Sequence, residues 1–140
     1  LLKQFDFVTA SIHSGFKQTK EKITSRILSA IENEHVDCIG HLTGRLINKR
    51  PPYDLDTSKI FKAAADTNTF LEINSHPVRL DLKDTHVREA ISKGVKIVIN
   101  TDAHIIDELD YMRYGVFTAR RGWAEKKDIV NTMSWKELRL

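Results

Sequence analysis

Short apolar runs rich in β-branched residues alternate along the chain with segments of helical periodicity. The runs cover residues 7–12, 36–39, 70–73 and 95–99. Continuous apolar runs of this length are typical of strands buried on both faces. The alternation predicts an α/β fold with about four parallel strands and covering helices, because each helix returns the chain to the same sheet. An open doubly wound sheet and a barrel fit this pattern equally well.

Capping residues bound three of the predicted helices. The first spans residues 19–33, with Thr19 as its N-cap, and the second follows the N-cap Asp56. The third spans residues 84–93 and ends at Gly94, a residue suited to the left-handed position after a helix.

The rest of the chain is predicted to be loop and short helix. Residues 40–54 form a long loop that contains a Pro-Pro pair and a cluster of basic residues. The pattern is helical again after Asp102, and residues 128–140 are expected to form one helix or two short ones.

The composition is that of a single globular unit in a reducing compartment. The 140 residues are 41% hydrophobic and 29% charged. No apolar run approaches the roughly 18 residues that span a bilayer, and the first residues lack the pattern of a signal peptide. The one cysteine, Cys38, lies in an apolar run and is expected to be buried and unpaired. We therefore expect a cytoplasmic protein. The net charge of +3 permits a polyanionic partner but carries little weight.

Candidate metal ligands follow three of the predicted strands. His13 comes directly after the first strand, His41 after the second, and Asp102 and His104 after the fourth. The carboxyl ends of parallel strands meet on one face of the sheet, so these four side chains are expected to lie together. Imidazole and carboxylate groups suit zinc, manganese or iron. We predict a metal site there, with these four residues as its catalytic group.

Other polar residues on the same face could bind a phosphate. Arg45 and Arg79 lie in loops on the metal side, and guanidinium groups make paired hydrogen bonds with phosphate oxygens. Asn74 ends the third strand and is a substrate-binding candidate ahead of Glu72, whose role stays open. His76 is either a ligand or a loop residue. His86 is expected to be solvated, and Trp123 is expected to lie in the core, with stacking on a nucleic-acid base as the alternative.

Several motifs together resemble one known family. The segments ASIHSGF, IGHLTGR, LEINSHPVRLDL, VINTDAH and MRYGVFTARRGW are similar to the PHP (polymerase and histidinol phosphatase) domain at the C-terminus of bacterial and archaeal family X DNA polymerases. The resemblance spans nearly the whole chain.

The resemblance implies a fold, a cofactor and an activity. The fold is a distorted seven-stranded β/α barrel, of which residues 1–140 would be the C-terminal portion of a single PHP domain. The cofactors are divalent metal ions, zinc or manganese, bound by His13, His41, Asp102 and His104 among other ligands. The activity is metal-dependent phosphoester hydrolysis, as a 3′-to-5′ exonuclease or 3′-end phosphoesterase acting on DNA in repair. The partners are DNA and the rest of the polymerase chain on the N-terminal side.

The resemblance also has departures. Related domains carry further histidines and a glutamate in earlier strands, and the chain starts at Leu1 without those segments. We therefore expect an excised portion with open sheet edges, self-association through those edges, and no activity in isolation. His76 stands where the polymerase branch more often has a small polar amide.

Two alternatives to DNA processing stay open. One is a phosphatase for small phosphomonoesters, like histidinol phosphatase. The other is a non-catalytic module that binds DNA or steadies a polymerase.

Overall fold

Four parallel strands form one sheet in the order β1-β2-β3-β4. The computed structural model describes residues 1–138. The strands are β1 (Thr9–Ala10), β2 (Cys38–Ile39), β3 (Phe70–Asn74) and β4 (Ile97–Asn100). The predicted α/β fold with four parallel strands is confirmed, and it is compatible with part of a barrel. Each strand except β3 is shorter than its apolar run.

Five α-helices follow or flank the strands in the described part of the chain. They are α1 (Lys20–Ile31), α2 (Thr57–Thr67), α3 (Asp84–Ser92), α4 (Met112–Arg121) and α5 (Trp135–Leu138). The predicted N-caps are confirmed, because the side chains of Thr19 and Asp56 accept the backbone N–H groups of Lys22 and Lys59. Gly94 has the expected left-handed backbone, with φ of +87°.

The main core lies between the sheet and its helices. Ile23 and Ile27 of α1 and Phe61 of α2 are buried against Leu71 and Ile73 of β3 and their neighbours in one apolar cluster. The periodicity of α1 and α2 explains this packing, since each helix buries one apolar stripe. The core holds the central strands in place and so fixes where their carboxyl ends emerge.

The segment after α4 covers the outer edge of β4. Ile129 pairs with Ile97 in an isolated parallel bridge. The Asn131 side chain then accepts the Ile99 N–H at 2.7 Å and donates to the Ile99 carbonyl at 2.9 Å. One amide thus replaces the next strand for one residue of β4. At the other side of the sheet, β1 is an edge strand among the described residues.

The region after β4 contains less α-helix than its pattern predicts. A 3₁₀ helix at Ile106–Tyr111 precedes α4, and two further 3₁₀ turns, Lys126–Asp128 and Val130–Thr132, precede α5. The last two residues of the predicted 128–140 tail lie outside the described residues. Within residues 1–138, no helix is long and apolar enough to cross a membrane.

Two predictions about burial are wrong. Trp123 was predicted to lie in the core, but it is 66% exposed, and the Arg88 guanidinium stacks 3.6 Å from the centre of its ring. His86 was predicted to be solvated, but it is half-buried, and its ring packs edge-on against Phe61 at 6.2 Å. Cys38 is buried and unpaired, as predicted.

Candidate functional site

Two of the predicted ligand histidines lie in contact. The rings of His13, just after β1, and His41, just after β2, are 5.2 Å apart and nearly perpendicular. His13 is exposed, whereas His41 is buried. The structure therefore brings together these two residues from neighbouring strand ends, as the parallel sheet requires.

The backbone of His41 is held in an uncommon conformation. Its φ is +30°, and residues other than glycine seldom adopt a positive φ. Its backbone N–H donates a 2.6 Å hydrogen bond to Oε2 of Glu72, a buried residue of β3. Such conformations persist only where the surroundings determine them, and they cluster at functional sites.

Asp102 also lies at the strand ends, on a second left-handed backbone with φ of +55°. The fully buried Asn74 donates from Nδ2 to Asp102 Oδ2 at 3.2 Å and accepts the His76 N–H on Oδ1 at 3.1 Å. Arg79 Nε lies 3.8 Å from the same Asp102 oxygen. Asn74, predicted to bind substrate, supports Asp102 in this structure.

One ring nitrogen of His104 makes a hydrogen bond to the backbone, and the other is available to a ligand. Its Nδ1 lies 2.7 Å from the backbone carbonyl oxygen of Asp102. A carbonyl oxygen can only accept, so Nδ1 carries the hydrogen and Nε2 keeps its lone pair in the neutral ring. Histidines that bind metals through one nitrogen commonly donate the other N–H in this way.

The loop that carries His104 is tied to the loop after β3 by an acidic residue. Glu108 accepts the His104 N–H at 2.7 Å, and its other oxygen lies 3.7 Å from Nε2 of His76. The His76 ring also packs edge-on against Tyr111 at 5.1 Å. His76 Nδ1 accepts the Val78 N–H at 3.3 Å. In this structure His76 therefore joins two loops.

The two arginines predicted to bind phosphate differ in their hydrogen bonds. Arg45 donates from Nε to the Arg79 carbonyl at 2.6 Å and from Nη2 to the Leu80 carbonyl, so most of its hydrogen bonds shape the loop after β3. Arg79 Nη1 is buried and has no hydrogen-bond partner. A buried guanidinium nitrogen without a partner is uncommon, and it leaves one N–H group of Arg79 free to donate. The phosphate role of Arg45 stays a prediction.

The charges around His41 favour its neutral form. Burial lowers the pKa of His41, and the positive charge of Arg79 and the neighbouring His13 ring lower it further. A neutral imidazole is the form that binds metals. His41 Nδ1 is buried without a hydrogen-bond partner.

The donor atoms fit a metal site only in part. His41 Nδ1 lacks a partner, and the tautomer of His104 leaves Nε2 available. Among residues 1–138, however, no three side chains of His, Cys, Asp or Glu form a group that could hold a metal ion. The contact between His13 and His41 is a pair, and Asp102 and His104 lie on a separate loop.

Three buried or bridging residues were not singled out by the sequence pattern. Asp81 is fully buried, and its Oδ2 accepts both the N–H and the hydroxyl of Thr43 at 2.9 Å. Ser75 has a buried hydroxyl without a partner, and Glu108 links two loops. The sequence pattern gave no signal for any of the three, because the burial of Ser75 and the partners of the other two depend on other segments of the chain.

Several named proteins are similar in sequence to this chain. Over 138 residues it is 47% identical to the DNA polymerase/3′-5′ exonuclease PolX of Bacillus subtilis strain 168, a match that covers 99% of this chain and 24% of that protein. A probable phosphatase of Thermoanaerobacter sp. strain X514 is 32% identical over 114 residues, with 75% of this chain and 44% of that protein covered. A probable phosphatase of Shewanella halifaxensis is 31% identical over 135 residues, with 91% and 50% covered.

These similarities relate the chain to two kinds of named protein. The chain is homologous to PolX along nearly its whole length and to proteins named as probable phosphatases. The chain spans between 24% and 50% of the length of these three relatives. No family model matches it.

Proposed function

We propose that this chain is part of a PHP-type, metal-dependent phosphoesterase domain of a PolX-like polymerase, and that the domain removes nucleotides or phosphate from DNA 3′ ends. The finer parts of this proposal rest on the resemblance of the motifs and on the name of the polymerase relative. The partners in this proposal are DNA and a polymerase portion on the N-terminal side of the chain.

One observation carries the proposal. A buried arginine nitrogen and a buried imidazole nitrogen, Arg79 Nη1 and His41 Nδ1, both lack partners at the carboxyl ends of the strands. They are electrostatically coupled, since Arg79 lowers the pKa of His41. A cationic donor beside a neutral metal-binding nitrogen suits a phosphate ester held against a metal ion.

The residues present have distinct parts in this chemistry. His13, His41, Asp102 and His104 would hold zinc or manganese, together with ligands from earlier strands of the complete domain. A bound metal would act as a Lewis acid toward the phosphoryl group. Arg79 donates to a phosphate oxygen and neutralises part of its charge. Asn74 and Glu108 orient Asp102 and His104 through the hydrogen bonds described above.

The test uses the natural full-length protein that contains this chain. We expect it to shorten a labelled DNA primer from the 3′ end in the presence of Mn²⁺, and we expect His104→Ala to abolish this activity. His35→Ala is the matched control, because His35 lies before β2 and its ring is 3.8 Å from the carboxylate of its neighbour Glu34. Primer shortening that survives in His104→Ala would contradict the proposed site.

A small phosphomonoesterase is the second candidate, and the probable phosphatases among the relatives favour it. Turnover of a nucleotide-like monoester should be compared with turnover of the primer on the same enzyme. Efficient hydrolysis of the monoester with an intact primer would favour this candidate. Salt-sensitive DNA binding without any hydrolysis would instead indicate a non-catalytic module.

A further inference from the structure

Glu72 is the one acidic side chain within the four strands of the described residues, and the function proposed above leaves it without a part. It lies on β3 between β2 and β4 and is only 5% exposed. Its Oε2 accepts the His41 N–H at 2.6 Å, and its Oε1 accepts Asn100 Nδ2 at 3.0 Å. A single carboxylate therefore connects the ends of three neighbouring strands.

A glycine beside Glu72 leaves space for its carboxylate. Gly40, the residue before His41, has no side chain, and a Cβ there would lie 2.6 Å from Ser11 Oγ and 3.3 Å from Glu72 Oε2. A larger residue at position 40 would therefore disturb the approach of the carboxylate to the His41 N–H. The glycine leaves the carboxylate free to contact the backbone at the point where His41 takes its positive φ.

Stability alone does not account for a carboxylate at this place. Removing a charged group from water costs more than its hydrogen bonds commonly return, and an apolar residue of similar volume is often at least as stabilising. The two partners of Glu72 are both tied to the candidate site. One is His41 itself, and the other, Asn100, lies two residues before Asp102.

We propose that Glu72 is a positioning residue that fixes the backbone of His41 and, through Asn100, the end of β4 that leads to Asp102. It acts through hydrogen bonds and does not contact the substrate. The proposal rests on the function proposed above, because it assigns His41 and Asp102 to one metal centre. Carboxylates that orient metal ligands commonly contribute about ten- to a hundredfold to metal affinity.

The test compares two substitutions in the natural full-length protein. Glu72→Leu keeps much of the side-chain volume but removes both acceptors. Glu72→Gln keeps an acceptor for the His41 N–H, and the Asn100 amide can turn so that its oxygen faces the new NH₂ group. We expect Glu72→Leu to weaken Mn²⁺ binding, measured by calorimetric titration, by about tenfold or more. Glu72→Gln should restore most of the affinity.

Asp37 provides the matched control. Its carboxylate also joins two neighbouring segments through the backbone, by accepting the Val8 N–H at 2.7 Å, but both residues lie just before β1 and β2, at the opposite ends of the strands from the candidate site. Asp37→Leu should lower the melting temperature and leave Mn²⁺ affinity unchanged. If Asp37→Leu weakens Mn²⁺ binding as much as Glu72→Leu does, general destabilisation explains the effect and the proposal is wrong.

A second readout does not depend on metal or activity. In the metal-free protein, the His41 amide should exchange with deuterium faster in Glu72→Leu than in the wild type, as measured by mass spectrometry on a peptide that covers it. If Glu72→Leu does not fold, Asn100→Ala removes one of the two bonds at a half-buried position and should weaken Mn²⁺ binding in the same direction.

The outcomes separate this inference from the proposed function. A wild-type protein that neither binds Mn²⁺ nor hydrolyses phosphoesters would contradict the proposed function, while the exchange measurement would still test whether Glu72 holds His41. Unchanged exchange at His41 in Glu72→Leu would overturn the positioning role, even in an active enzyme. Wild-type Mn²⁺ affinity in Glu72→Leu would do the same.

Discussion

At the scale of single residues, two features define the candidate site. Some of its buried polar atoms lack hydrogen-bond partners, and some of its residues have an unusual positive φ. His41 and Asp102 both have positive φ, and each is the second residue after the end of a strand. Such strain is maintained by specific bonds, from Glu72 to the His41 N–H and from Asn74 to the Asp102 carboxylate. Residues whose backbone or side chain is already held in this way lose less entropy when a ligand binds, which favours a preorganised site.

Arg79 gives a direct test of phosphate binding. We expect Arg79→Gln to raise KM for a phosphoester by about tenfold or more, with a smaller change in kcat, because a charge-assisted hydrogen bond to the substrate is lost. Steady-state kinetics on the full-length protein measures both values. Arg88→Gln is the control, since Arg88 stacks on Trp123 on the surface. An unchanged KM in Arg79→Gln would show that its free nitrogen does not bind the substrate.

Asp81 makes folding stability depend on pH. Burial raises the pKa of Asp81 above its ordinary value, against the opposing effect of its bonds to Thr43. A carboxyl with a raised pKa in the folded state binds its proton more tightly there than in the unfolded chain. Its contribution is therefore most favourable at low pH and is lost as pH rises from about 4 through the folded-state pKa.

We expect Asp81→Asn to remove this part of the pH dependence. Urea unfolding across that range should show a smaller decrease in the free energy of unfolding for Asp81→Asn than for the wild type. The buried Glu72 carboxyl also has a raised pKa and contributes to the same range, so the difference between the two proteins is the quantity to compare. Parallel curves for the two proteins would contradict the assignment to Asp81.

At the scale of elements, the position of the strand ends was predictable, but the hydrogen bonds of Glu72 and Asn74 that support them were not. A strand-helix alternation requires a parallel sheet, so His13 and His41 had to emerge from neighbouring strands on one face. Their contact follows from the order β1-β2. The pattern could not show that Glu72 and Asn74 bond to separate loops, because that depends on how far each loop folds back over the sheet.

The edge of β4 shows a related limit of the sequence. Pro, Gly and periodicity identify helices and turns, but nothing in the local pattern around Asn131 indicates that its amide pairs with Ile99. The same holds for Trp123, whose apolar character predicted burial although its ring lies on the surface beside Arg88. Both features are set by tertiary contacts.

Asn131 allows a prediction about that edge. Asn131→Ala removes two hydrogen bonds to the Ile99 backbone, each worth about 1 kcal/mol, and should destabilise the fold by about 2 kcal/mol. Asn131→Asp keeps an acceptor for the Ile99 N–H but cannot donate to its carbonyl, so it should lie between Ala and the wild type. Urea denaturation measures all three. Equal stability of Asn131→Ala and the wild type would show that water replaces the amide without cost.

At the scale of the whole molecule, apolar residues remain exposed on the segment that leads from the site into α4. Ile106 is 85% exposed, and Ile105, Leu109 and Phe117 are each more than half exposed. Apolar side chains exposed close together along the chain are candidates for a contact site. The β1 edge adds a second surface where backbone groups are available for pairing among the described residues.

We therefore expect the isolated chain to self-associate, in line with the open edges expected from its resemblance to part of a barrel. Sedimentation velocity should show oligomers that grow with protein concentration. Ile106→Ser/Phe117→Ser should shift the distribution toward monomer, because both side chains lose apolar surface that association would bury. Lys62→Ser is the control, because it changes an exposed position on α2. Val36→Ser would not serve, because Val36 packs on the core. Oligomers that persist in the double variant would place the contact at the β1 edge, and a monomeric wild type at high concentration would contradict the prediction.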